Sequence, residues 1–142
     1  MADANPEITA QLSRERLAGS FPGDLGIEIV ELTEQVVRGR MVVDRRHLHP
    51  GGYVHGGCWV AFADTVAAWG TMRHLPEGRD FTTAELKMNV LGAGRVGDEL
   101  EGVGELLHAG SRTQVWEVRV YRLQPEGGRR LTASFSCTQM IL

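Results

Sequence analysis

The segment from Cys58 to Trp69 constrains the fold of this chain more than any other, because it is apolar on nearly every side. A surface helix of a globular protein carries one apolar stripe, so this pattern predicts a buried helix that ends before Pro76. A membrane span is disfavoured, because Asp64 lies in the middle of the segment and charged residues flank it. An unpaired carboxylate in apolar surroundings is costly, so Asp64 needs either a polar partner or a functional site.

The length of 142 residues predicts a single domain that spans 1–142. Within it, Asn5-Pro6-Glu7 is typical of a helix start and Gly19 of a helix end, so we expect an N-terminal helical segment over 1–24. A net charge of −3 without a basic tail gives no support for nucleic-acid binding. The absence of a signal-peptide pattern, together with only two cysteines, predicts a cytoplasmic protein with reduced thiols.

The residues on both sides of the central helix read as β-strands. Residues 25–34 and 36–44 predict an antiparallel pair, and after the helix the apolar residues recur every two positions. Four strands are expected there, over 82–90, 99–107, 111–123 and 130–142. In the first of them, the alternation predicts one inward face, formed by Thr82, Ala84, Leu86, Met88 and Val90. The fold class is therefore α+β, with a curved, mainly antiparallel sheet around one long helix, whose open edges favour self-association.

Two positions on the central helix have the chemistry of a site. Gly56 lies at the helix start, where backbone N–H groups lack intrahelical partners and can polarise a carbonyl oxygen. Asp64 follows eight residues later, about 12 Å along the axis. This is too far for both to contact one small group within a single chain, so they share a substrate only if a second subunit contributes. In a purely structural interpretation, the glycines permit a turn and Asp64 belongs to a core hydrogen-bond network.

Other residues suggest different chemistry. His47 and His49 have the HxH spacing of some metal sites, although nothing nearby completes a ligand set, and no metal is expected. Cys58 is either a nucleophile with a pKa lowered by the helix dipole or a small packed residue. Ser111 and Arg112, at the head of a strand, suit either a phosphate or a solvated loop.

The pattern His49-x-x-Gly52-x-x-His55-Gly56-Gly57, followed by Ala63-Asp64 in an apolar helix, resembles the hotdog-fold thioesterases of the phenylacetate-degradation and 4-hydroxybenzoyl-CoA type. The similarity extends from about Leu25 to the C-terminus and includes the segments 83–89, 108–112 and 128–131. It implies the hotdog fold and hydrolysis of an acyl-CoA thioester, more readily an aromatic than a long aliphatic one. No cofactor is implied, because coenzyme A is part of the substrate.

The resemblance also implies roles for individual residues. The Gly56 N–H would polarise the thioester carbonyl while Gly57 shapes the turn. Asp64 of the partner subunit would act as nucleophile or as general base on water. His49 stands where family members often have Asn or Gln, and it would orient the water or protonate the leaving thiolate. The expected assembly is a homodimer that forms the active site, within a homotetramer.

The remaining substrate contacts are implied in the same way. His55 and Gly57 would line the thioester site, Thr83 the acyl pocket, and Ser111 with Arg112 the nucleotide phosphates. The family's Arg-Pro pair is replaced by Gly92-Ala93, a departure that affects coenzyme contacts there.

Two alternatives to hydrolysis remain open. A hotdog enoyl-CoA hydratase or dehydratase would pair a histidine with a carboxylate to move a proton, and apart from Asp44, before Arg45, no acid stands beside a histidine in the loop before the helix. A non-catalytic acyl-CoA-binding protein would have no use for a buried Asp64. We expect neither a nucleic-acid nor a membrane partner.

Overall fold

The computed structural model describes residues 14–142, which form a six-stranded, wholly antiparallel sheet curved around one long helix. The strand order is β1-β2-β4-β5-β6-β3, so β1 and β3 are the edges. The strands are β1 (Glu28–Leu32), β2 (Val36–Val42), β3 (Phe81–Val90), β4 (Glu99–Ala109), β5 (Thr113–Leu123) and β6 (Arg129–Ile141). The helices are α1 (Phe21–Asp24), a 3₁₀ turn (Arg45–His47) and the central helix α2 (Gly56–Arg73). The expected fold class is confirmed.

The central helix α2 packs into the concave face of the sheet along a strip of glycines. A Cβ atom at Gly39 would lie 2.6 Å from Val66 Cγ2, and one at Gly102 would lie 3.1 Å from the same atom. Because these positions have no side chain, the sheet backbone approaches the helix closely. Small residues at these positions let this part of the sheet curve over the helix.

The core lies between the helix and the sheet, as the alternating patterns predict. Its largest fully buried side chains are Trp59, Phe62, Trp116 and Phe135. No helix within residues 14–142 is long and apolar enough to cross a membrane.

The prediction of which β3 residues face inward is wrong for Thr82 and Ala84, the first two of the predicted set. The register of β3 on β6 shifts between Thr83 and Glu85, so Ala84 lies at a β-bulge. Thr83 therefore pairs with the inward-facing Gln139, whereas Thr82 takes the other side. Beyond the bulge, Leu86, Met88 and Val90 face inward as predicted. This strand is less buried than expected, because α2 does not cover the edge, and Leu86 is 41% exposed.

The N-terminal residues lie beside the central helix. Residues 14–17 are helical, and Gly19, at φ +74°, follows that helix as expected. The Ser20 hydroxyl caps α1 by accepting from the Gly23 N–H at 3.4 Å. The predicted helix start at Asn5 lies outside the described residues.

Candidate active site

The N-terminus of α2 presents a free backbone donor. His55 is the N-cap residue, with φ −62° and ψ 139°, and its Nδ1 accepts from the Gly57 N–H at 2.9 Å. The His55 carbonyl accepts from the N–H groups of Cys58 and Trp59. Within residues 14–142 the exposed Gly56 N–H has no acceptor. The helix dipole and this N–H together favour an electronegative atom at Gly56.

His49 lies in the loop that leads to this helix start. Its Nδ1 accepts from the Gly51 N–H at 2.9 Å, and its ring lies 5.9 Å from the Tyr53 ring. Accepting at Nδ1 places the proton of the neutral ring on Nε2, which is then a donor. His49, His55 and Gly56 therefore belong to one end of the helix.

His47 has a structural role. Its buried ring accepts from the Asp44 N–H at Nδ1, and its Nε2 lies 2.7 Å from the Leu25 carbonyl oxygen. Among the described residues, no group of three or more His, Cys, Asp or Glu side chains is arranged to hold a metal.

Cys58 is a packed residue and not an activated nucleophile. Burial, with a smaller contribution from Asp44, raises the pKa of the Cys58 thiol to about 11. The helix dipole does not produce the thiolate that nucleophilic attack requires.

Asp64 opens onto a cavity between α2 and the N-terminal residues. The cavity has a volume of about 570 Å³. Its lining is mainly apolar and comprises Arg16, Leu17, Ser20, Phe21, Pro22, Ala61, Asp64, Thr65, Ala68, Trp69 and Met72. An apolar cavity with one carboxylate is typical of a small-molecule site.

A hydrogen-bond chain on the inner face of the sheet holds the Asp64 carboxylate. The Thr83 hydroxyl donates to Asp64 Oδ1 at 2.9 Å, and Thr83 Oγ1 also lies 2.9 Å from Gln139 Oε1. Gln139 is fully buried, and its Nε2 lies 3.4 Å from Cys137 Sγ. Burial raises the pKa of Asp64, whereas the hydrogen bonds of Thr83 and Gln139 oppose this shift. The network therefore keeps a desolvated carboxylate in a fixed place.

The predicted site residues form separate groups in one chain. Asp64 and Thr83 are in contact, whereas Gly56 lies about two helical turns away. Ser111 and Arg112 are exposed in the β4–β5 turn, where the Arg112 carbonyl accepts from Ile141 at 2.8 Å. That turn adjoins the end of β6, remote from the start of α2.

Three arginines, absent from the sequence-based prediction, line a cleft beside the loop that precedes α2. Arg95, Arg122 and Arg130 share this cleft of about 380 Å³ with Asp98. Arg122 and Arg130 are direct cross-strand partners, an unfavourable pairing of like charges. The Arg95 guanidinium lies 5.1 Å from the Tyr53 ring centre, which links the cleft to the His49 loop. Converging positive charge of this kind suits an anionic ligand.

A model of the thioesterase superfamily matches residues 51–128, more than half of the chain. The chain belongs to the thioesterase superfamily. This thioesterase is 31% identical over 127 residues to the proofreading thioesterase EntH of Cronobacter turicensis, covering 89% of this chain and 90% of that one. It is 29% identical to the 1,4-dihydroxy-2-naphthoyl-CoA hydrolase of Escherichia coli, with 96% of both chains covered. The predicted family and the predicted class of enzyme, a thioester hydrolase, are confirmed.

A solved structure supports the fold of this thioesterase. The crystal structure of a thioesterase from Haemophilus influenzae superposes with a TM-score of 0.84 at 26% sequence identity. The superposition covers 94% of this chain and 90% of that one. The hotdog fold expected from the resemblance is confirmed.

Proposed function

We propose that this thioesterase hydrolyses aromatic acyl-CoA substrates at active sites shared by two subunits of a homodimer, in which Gly56 of one chain faces Asp64 of the other. The observation that carries the proposal is the carboxylate of Asp64, held by Thr83 at the mouth of an apolar cavity. Such a group has little structural purpose where water can reach it, and it suits chemistry on a bound acyl group.

The proposed reaction divides its steps between the two ends of α2. The Gly56 N–H, free of any acceptor within residues 14–142, polarises the thioester carbonyl and stabilises the oxyanion. Asp64 attacks the carbonyl carbon or removes a proton from the attacking water. His49 presents a donor at Nε2, which is suited to orienting the water or protonating the thiolate that leaves. His55 and Gly57 complete the thioester end of the site.

The shape and chemistry of the Asp64 cavity support an aromatic acyl group. Trp69 and Phe21 contribute flat apolar surfaces, and a volume near 570 Å³ exceeds that of one or two fused rings. The Escherichia coli relative is named for the hydrolysis of a naphthoyl-CoA. These observations favour a compact ring system over an extended aliphatic chain.

The exposed apolar residues on the β3 side support the homodimer. β3 is an edge strand, and Leu86 and Val90 on its inward face are 41% and 46% exposed. Val60 and Ala68 on α2 are only partly covered. A second copy placed against this edge would bury these residues and bring its own Asp64 towards Gly56. We propose that two such dimers associate into a homotetramer.

The arginine cleft is the site that we propose for the coenzyme A phosphates. It adjoins the His49 loop, and its three guanidinium groups exceed the single carboxylate of Asp98. Ser111 and Arg112 form a second candidate site for these phosphates. This site requires that the β4–β5 turn of a neighbouring subunit lies near the helix start.

A panel of acyl-CoA thioesters tests the proposal directly. Release of free thiol is measured for benzoyl-, hydroxybenzoyl-, phenylacetyl-, hexanoyl- and palmitoyl-CoA, with crotonyl-CoA hydration followed in parallel. We expect the highest kcat/KM for the aryl substrates. Hydration of crotonyl-CoA without thiol release from any substrate would contradict hydrolysis, and a preference for palmitoyl-CoA would contradict the aromatic acyl group.

A further inference from the structure

The Thr83 hydroxyl faces two groups but has one proton. Its Oγ1 lies 2.9 Å from Asp64 Oδ1 and 2.9 Å from the side-chain amide of Gln139. If the amide oxygen faces Thr83, the oxygens of Asp64 and Gln139 compete for that proton. One of the two oxygen–oxygen contacts at Thr83 Oγ1 then has no hydrogen between its atoms. The nitrogen and oxygen of an amide have the same shape, so the surrounding network decides which one faces the hydroxyl.

The surroundings of Gln139 favour the nitrogen. The far amide atom lies 3.4 Å from Cys137 Sγ. Burial, followed by the charge of Asp64, raises the pKa of the Cys137 thiol to about 12, so the thiol keeps its proton and can donate it. With the amide turned by 180°, the thiol donates to Gln139 Oε1, Gln139 Nε2 donates to Thr83, and Thr83 donates to Asp64. Every proton then has one acceptor.

We propose that Gln139 is a positioning residue whose amide N–H directs the Thr83 proton onto Asp64. The proposal rests on the proposed role of Asp64 in hydrolysis and extends it to a buried residue that does not touch the substrate cavity. Each donor in such a chain polarises the next, so the bond to Asp64 strengthens. The chain runs from Cys137 on β6 to the carboxylate on α2.

Few charged groups compete with this chain at Asp64. In the described part of the molecule, Arg16 of the N-terminal residues shares the cavity, and Cys137 is the titratable group on β6. Glu85 of β3 faces the opposite side of the sheet, where the Thr138 hydroxyl lies 3.3 Å from it. Hydrogen bonds, and not ion pairs, therefore oppose the effect of burial on Asp64.

The test is the pKa of Asp64, measured by carboxyl ¹³C NMR titration of the full chain and assigned with the Asp64→Asn variant. Removing the amide in Gln139→Met should raise this pKa by about one unit, and the acidic limb of kcat/KM should move by the same amount. If the amide N–H instead reaches Asp64 directly, the same variant also raises the pKa of Asp64, and only the double variant with Thr83→Val separates this route from the one through Thr83. A lowered or unchanged pKa overturns the proposal.

The control is Gln114→Met. Gln114 is the cross-strand partner of Gln139 on β5, equally buried, and it accepts from Trp116 Nε1 at 3.2 Å. This variant makes the same substitution at a neighbouring buried position of the sheet, and it should leave the pKa of Asp64 unchanged. An equal shift in both variants would mean that only general packing is involved, and it would contradict the proposal.

The Thr83→Val variant tests whether Gln139 changes the pKa of Asp64 through Thr83. It also gives an independent measurement if Gln139→Met does not fold. Thr83→Val should raise the pKa of Asp64, and adding Gln139→Met to it should cause no further change. Thr83→Ser should restore the pKa and the pH profile. An additive double variant would show that Gln139 does not act through Thr83. Because the NMR readout needs no substrate, absence of thioesterase activity would contradict the proposed function alone.

Discussion

Asp64 is subject to two opposing influences. Burial disfavours its charged form, whereas the Thr83 hydroxyl favours it at a distance of 2.9 Å. Replacing the carboxylate by an amide of equal size, in Asp64→Asn, removes the proposed base or nucleophile and preserves the packing. We expect a variant that folds and assembles like the parent and loses thioester hydrolysis by about a hundredfold or more. Activity close to that of the parent in a thiol-release assay would remove Asp64 from the mechanism.

The raised pKa of Asp64 has a consequence for stability that can be read from the same variant. Below the usual pKa of 3.8, the carboxyl is protonated in both folded and unfolded chains. As the pH rises through that value, the unfolded chain ionises first, so the folded state loses stability until the raised pKa is passed. Asp64→Asn escapes this loss. Its stability relative to the parent should therefore increase from low to neutral pH in urea denaturation, and a pH-independent difference would contradict the raised pKa.

The arginine cleft is tested by comparing one member with a distant arginine. We expect Arg130→Ala to raise the KM for acyl-CoA about fivefold to tenfold, because charge-assisted hydrogen bonds to phosphate are lost. The KM for the matching acyl-pantetheine, which has no phosphates, should not change. Arg112→Ala is the matched comparison at the β4–β5 turn. If only Arg112→Ala shows this selective effect, the phosphates bind at that turn and not in the cleft.

At the scale of elements, the contact between α2 and β5 depends on a missing side chain. A Cβ atom at Gly70 would lie 2.4 Å from Trp116 Cη2, and Trp116 is completely buried. Gly70→Ala gains helix propensity, but overpacking against a fixed ring outweighs it, so we expect a net loss of about 1–2 kcal/mol in the free energy of unfolding. Urea denaturation measures it. Gly56→Ala is the control, because nothing lies within 4 Å of its Cβ position, and equal losses in both would exclude the clash.

The sequence predicts most of the elements, because their patterns depend on local periodicity. The apolar run gives α2, which begins at Gly56 and ends at Arg73, ahead of Pro76. The alternation in 82–90 fails at Thr83 because a bulge leaves no periodic signal of its own. The position of β6 between β5 and β3 is also beyond local patterns, since strand order depends on contacts that are distant in sequence.

The candidate site was also predictable only in part, because a sequence shows local motifs but not contacts between residues that are distant in sequence. Motif and resemblance select Gly56 and Asp64 as candidates, and the structure places them about two turns apart on one helix, as expected. Gln139 was missed, although it lies two positions after Cys137 on the inward face of β6, where a polar residue is a signal of a buried hydrogen bond. The arginine cleft was missed because Arg122 and Arg130 become neighbours only through strand pairing.

At the scale of the whole molecule, the proposed sharing of the active site between two subunits can be tested with mixed dimers. Asp64→Asn removes one half of the site, and Gly56→Pro removes the other half by deleting its N–H. Proline is tolerated at the first position of a helix, and His55, at φ −62° and ψ 139°, already has the conformation that precedes proline. Each variant alone should be inactive. A dimer of one chain of each kind contains one intact site, so we expect about half the activity of the parent dimer.

The controls for this experiment are the two homodimers and the double variant paired with the parent chain. In a dimer of the double variant and the parent, each site loses one component, so the shared-site arrangement predicts no activity. If each chain instead carries a complete site, the parent chain stays active and the mixed dimer of single variants is inactive. The two arrangements therefore give opposite results.

The bulge at Ala84 separates two functions that share β3. On one side of it, Thr83 contacts Asp64, and on the other side Leu86 and Met88 continue the inward face of the sheet. Deleting Ala84 would restore the regular alternation, with Thr83 still opposite Gln139 and Leu86 still opposite Cys137, and would remove the local bend that the bulge gives to β3. Related sequences can therefore lose this one residue without turning over Thr83 or the apolar face, and an alignment gap here marks a change in the local bend of β3 and not in the set of inward-facing residues.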